Sequence, residues 1–185
     1  EAQKKLAPAK SSLDKALQAV AVAKKSVDEI DGKISALQNQ AQSSAAAAKA
    51  AGDAVAKLDG QLPKISSENR DLQDELTALR VALKSDPSKL IAVAEIEERL
   101  AGRLLESAKK RRERVSIHAS IAKHQSVAAA KKAEAEKLAS TLAAEQKKLE
   151  QAQSIADAAN VAHAELATVV AKVQSKVERL LAESK

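Results

Sequence analysis

Apolar residues recur along the first half of the chain at alternating spacings of three and four. One series runs through Leu6, Leu13, Val20, Val27, Ile34, Ala41, Ala48, Val55 and Leu62. The other runs through Ala9, Ala16, Ala23, Ile30, Leu37, Ser44, Ala51 and Leu58, and only Ser44 is polar. Two apolar positions per seven residues keep one stripe of a helix turned toward a partner, the pattern of a left-handed coiled coil. Between Ala41 and Ala56 the stripe turns alanine-rich, which implies a close partner helix. At Asp59-Gly60-Gln61-Leu62-Pro63 the sequence predicts a break, because Gly60 can end a helix and Pro63 can begin one. The register resumes unchanged at Ile65, Asn69, Leu72, Leu76, Leu79 and Leu83. The break therefore reads as a kink or short loop within one arm, and Asn69 as a polar stripe residue that fixes register.

Ser85-Asp86-Pro87-Ser88 stops this helix and starts another. Pro87 has no N–H and disfavours helical geometry at Asp86, while Asp86 or Ser85 can cap a new helix with Pro87 in its first turn. The second arm opens with a stripe at Leu90, Val93, Ile96, Leu100 and Leu104 and weakens through Lys109-Lys110-Arg111-Arg112-Glu113-Arg114. It recovers at Val115, Ile117 and Ile121 with some drift of phase. A clean heptad follows from Leu138 through Leu142, Glu145, Leu149, Ala152, Ala156, Ala159, His163, Leu166, Val170, Val173, Val177 and Leu180. The expected fold is all-α: an elongated antiparallel coiled-coil hairpin, with arm one at 8–84, the turn at 85–88 and arm two at 89–185. Residues 1–5 form a frayed lead-in. If 59–63 and 111–126 were true turns, the same helices would make a compact three- or four-helix bundle instead.

Folding the chain between Asp86 and Pro87 sets residue i against 173 − i. The alanine run 45–48 then meets 125–128, and the break at 59–63 meets 110–114, where the second stripe also fails. Arm one, at about 1.5 Å per residue, would be a rod of roughly 115 Å. Arm two is longer, so residues 166–185 lack an internal partner and leave Val169, Val170, Val173, Val177 and Leu180 exposed. An apolar stripe of that kind marks a partner surface.

Composition agrees with this picture. The 185 residues include 42 alanines, four glycines and three prolines, with no cysteine, methionine or aromatic residue. Alanine is the best helix former, and a core without aromatics is thin. Without cysteine there is neither disulfide nor thiol chemistry. No run is apolar enough to span a membrane and no signal peptide is visible, so the compartment stays open. The chain starts at Glu1 without an initiator Met, as expected of a processed chain or a piece of a larger protein. The formal net charge is +6. It is unevenly spread, since residues 59–98 carry nine acidic and five basic side chains while 99–132 carry ten basic and two acidic. Side by side in a hairpin, these segments would favour the antiparallel register.

Candidate chemistry is sparse. Lys109, Lys110, Arg111, Arg112 and Arg114 form the densest charge run and could contact nucleic acid, an anionic membrane or an acidic protein. No aromatic residue is present to stack on a base, and a solvated helix face paired with acidic neighbours is the simpler reading. His118 and His124 are six apart, on different faces of a helix, where metal ligands want a spacing of three or four. His163 falls on the stripe as a polar register marker or a partly exposed spacer. Glu95, Glu97 and Glu98, like Asp71, Asp74 and Glu75, would need burial to do acid–base work. A two-helix rod offers no cleft for it. No phosphate loop, nucleophile elbow or cofactor box occurs, so no cofactor, small-molecule substrate or enzymatic activity is expected. In composition and period the chain resembles alanine-rich coiled-coil segments of bacterial secretion translocators, colicin-like toxins and the arms of chromosome-organising ATPases, with no shared motif. The expected function is a non-enzymatic structural spacer or assembly element. It would work by length, rigidity and self-association or protein partnership through coiled-coil packing. The alternative is a binding module that docks segment 99–132 on an acidic partner.

Overall fold

Asp86 divides the chain. Its backbone is extended, with φ −138° and ψ 95°, and its Oδ1 accepts from the Ser88 N–H at 3.0 Å and from the Ser88 hydroxyl at 2.6 Å. Pro87 begins a short 3-10 turn, Pro87–Lys89, and the Leu90 N–H donates to the Pro87 carbonyl, which leads the turn straight into the next helix. On the other side the Asp86 and Ser85 N–H groups donate to the Ala82 carbonyl and close the preceding helix. The computed structural model describes residues 2–183; Glu1 of the expected lead-in, and Ser184 and Lys185 of arm two, lie outside the described residues. Helix α1 runs Ala2–Leu83 and helix α2 runs Leu90–Glu183. They pack antiparallel as a helical hairpin, and no strand occurs among the described residues.

Every stripe position of α1 named above, from Leu6 to Leu83, is buried or half-buried. The contacts gather into two units, one of Glu1–Gln38 with Lys132–Lys185 and the other of Asn39–Lys131. In the first, Ile30, Ile34 and Leu37 pack with Leu142, Leu138 and Ala135, so the position numbers of facing residues add to 172. The second has the same register: Leu72, Leu76 and Leu79 share a cluster with Leu100, Ile96 and Val93. The sum is one less than expected, so the fold axis lies on Asp86, half a residue from its expected place. Some layers set a large side chain against a small one. Leu37 faces Ala135, and the same sum sets Leu13 against Ala159 in the first unit and Ala51 against Ile121 in the second. Large against small keeps a two-helix seam filled without aromatic residues.

Neither expected interruption is a loop or a turn. α1 passes through Gly60 and Pro63 as one helix, and α2 passes through 111–126 as one helix. A mid-helix proline costs about 3 kcal/mol. Leu58 and Ile65, 6% and 5% exposed, flank it on the seam. Burying two such side chains contributes about 3–6 kcal/mol, enough to carry the helix through. The turns that a three- or four-helix bundle requires are therefore absent. The expected phase drift near Val115 is absent too: Ile117 and Ile121 face inward on an unbroken heptad, and Val115 is 70% exposed.

Candidate interaction surfaces

The weak stretch of the second stripe is a seam built from polar side chains. In heptad phase, Arg103, Ser107, Lys110 and Arg114 occupy four successive inward positions of α2. Ser107 is buried, whereas Arg103 and Lys110 are half-buried, their aliphatic stems along the seam and their charges at its edge. Arg114 Nε lies 2.6 Å from Asp59 Oδ1, Lys110 Nζ donates to Gln61 Oε1 at 3.0 Å, and Arg103 pairs with Glu68 across the seam. Arg103 Nη1 also donates to Glu106 Oε2 at 2.6 Å, and nearer the turn Arg80 donates to Glu97 at 2.6 Å. The three bonds across the seam tie 59–68 to 103–114, segments that include the expected break at 59–63 and the weak stretch at 109–114.

Asn69 and Ser107 are the buried polar residues of this seam, and Asn69 Oδ1 has no hydrogen-bond partner. The unpaired buried carbonyl costs stability, and a polar residue at one stripe position is a device that fixes register. Ser107 and Arg103 gave no signal by apolar pattern. Only the heptad count from Leu100 finds them. A groove of about 470 Å³ runs over Gly102 in the same unit, lined by Glu68, Asp71, Glu75, Arg99, Arg103 and Glu106. Arg103 pairs with Glu68 and Glu106, and four carboxylates against two guanidinium groups leave the groove acidic.

The basic run is divided. Lys110 and Arg114 are spent on the seam, while Lys109, Arg111 and Arg112 are exposed. His118 is exposed, and His124 and His163 sit half-buried on the seam of α2, apart from one another. Among the described residues no cluster of histidine, aspartate or glutamate could hold a metal ion. Nor, among them, is any helix long and apolar enough to cross a membrane. Of the expected terminal stripe, Val173, Val177 and Leu180 are about half exposed, but Val170 is buried at 9%. The unpartnered stripe therefore begins after Val170. The bonds that Asp86 accepts from the Ser88 hydroxyl and N–H hold its carboxyl below the ordinary value of 3.8.

Fold and surfaces together define an antiparallel coiled-coil hairpin with a partly ionic seam. The chain matches no known family, and no curated protein or solved structure shows significant similarity to it.

Proposed function

We propose that this chain is a non-enzymatic structural element, a coiled-coil spacer that assembles with other chains. The observation that carries the reading is the single seam. Buried side chains concentrate on one heptad stripe of each helix, and on α2 that stripe continues in phase into the exposed Val173, Val177 and Leu180. A stripe that runs on past the residues that cover it offers its unfinished part to a partner. Light scattering across a concentration series tests this. Assembly is expected, and Val173→Ser, Val177→Ser and Leu180→Ser together should weaken it while helix content stays the same. A chain that remains monomeric throughout would contradict the assembly reading.

Lys109, Arg111 and Arg112 support a second reading, docking on an acidic protein, because these exposed bases have no ion pair among the described residues. Binding to a polyanionic protein that falls steeply with salt and is lost on changing all three to Gln would favour it. Salt-independent behaviour would remove it.

A further inference from the structure

The outward face of α2 carries a second heptad stripe within the unit Asn39–Lys131. Ile91, Ala94, Ala101, Leu105, Ala108 and Val115 recur at spacings of three and four, or at whole heptads, on the side of the helix turned away from the seam. All are exposed, Ile91 at 71%, Leu105 at 58% and Val115 at 70%. The two stripe positions left between Ile91 and Val115 hold Glu98 and Arg112.

Those two charges belong to a larger pattern. Glu95, Glu97 and Glu98 are followed fourteen residues later by Lys109, Arg111 and Arg112, one for one. Fourteen residues are two heptads, so each acid and its matching base share an azimuth on the helix, about 21 Å apart. Glu95 and Lys109 border one edge of the stripe, Glu97 and Arg111 the other, and Glu98 and Arg112 lie within it. The midpoints of the three pairs fall between Gly102 and Leu105.

We propose that two copies of the chain associate antiparallel through this face, about a two-fold axis beside Gly102–Leu105. Such an axis exchanges the acidic and basic ends. In the register that sets Ile91 level with the partner's Val115, Glu95 lies within about 3 Å along the axis of the partner's Lys109 and Glu97 of the partner's Arg111, while Glu98 lies about one turn from the partner's Arg112. Ile91 faces the partner's Val115 and Ala101 the partner's Leu105, so bulk again meets bulk or fills the space over a small residue. Open space surrounds Gly102, where no atom lies within 4 Å of the position a Cβ would take, and this lets the helices approach at the axis. A parallel copy would set like charges against each other at all three positions. The charges thus choose the orientation and the apolar positions drive association. This deepens the assembly reading and uses a face separate from the terminal stripe.

The test is a charge exchange, read as solution mass by light scattering with helix content checked by circular dichroism. Glu97 already accepts from Arg80, so it is left in place. Glu95→Lys with Glu98→Lys, and separately Lys109→Glu with Arg112→Glu, should each weaken self-association at least tenfold. Mixing the two variants should restore a heterodimer, and all four changes in one chain should restore the homodimer. Leu105→Lys should abolish both. If the wild-type chain assembles but neither variant alters it, or mixing restores nothing, this face is not the contact and assembly runs elsewhere. A monomeric wild-type chain overturns both this inference and the reading beneath it.

Discussion

Pro63 sits at the sixty-second position of an 82-residue helix, where its ring meets the carbonyl of Asp59 and its missing N–H leaves that carbonyl one bond short. It is exposed, so replacing it with alanine sacrifices no packing. Pro63→Ala restores one backbone hydrogen bond, a net of about 1 kcal/mol, and relieves the ring clash, which accounts for most of the roughly 3 kcal/mol that an interior proline costs. A gain of about 1–3 kcal/mol is therefore expected, local to the helix around residue 63. Hydrogen exchange resolved by residue is the suitable assay, because a chain with two contact units need not unfold in one step. Amides from about 60 to 67 should exchange roughly ten- to hundredfold more slowly in the variant, and urea denaturation should move the same way. A variant that is less stable, or whose amides there exchange as before, would show that α1 is interrupted at this point and that the seam does not override the proline.

Ile96→Ala removes a 5%-exposed side chain from the cluster with Leu76 and Val93 and should cost about 2–4 kcal/mol in thermal or urea denaturation. Gly32, Gly52, Gly60 and Gly102 all lie inside helices with open space where a Cβ would stand, so each glycine-to-alanine change should stabilise by about 0.5–1 kcal/mol, nearly additively. Asn69→Leu should raise stability by about 1–3 kcal/mol by removing the unpaired buried carbonyl, while disulfide trapping should detect registers one heptad away that the wild type excludes. Because the folded Asp86 carboxyl titrates below 3.8, its contribution is present above that pH and lost as pH falls through the folded value. Asp86→Ala should be destabilised at neutral pH yet converge on the wild type in acid. Asp86→Asn should keep the cap at both pH values.

The α1 seam is legible residue by residue, because period alone assigns it and every assigned position faces inward. The cap at Asp86 and the fold axis are legible for the same reason: turn chemistry is local. The segment 103–114 is not. A seam of Arg, Ser, Lys and Arg has no apolar period, so only the heptad count from Leu100 marks it as inward, and its bonding partners Asp59, Gln61 and Glu68 are visible only in the fold. Gly60 and Pro63 mislead because local propensity is weighed there without the burial of Leu58 and Ile65. Val170 reads as exposed by length alone, yet it is buried, so the unpartnered stripe is shorter than expected. The outward face of α2 escapes notice because its apolar positions are mostly alanine and its charges make sense only against a second copy.

The hairpin register is best tested with paired cysteines, since the chain has none of its own. Leu37→Cys with Ala135→Cys probes one unit, and Leu72→Cys with Leu100→Cys the other. Each pair should form an intramolecular disulfide rapidly under mild oxidation, while Leu72→Cys with Ser107→Cys, one heptad out of step, should not. Cross-linking of the shifted pair in preference to the matched one would contradict the antiparallel register on which the seam, the ionic segment and both exposed faces depend.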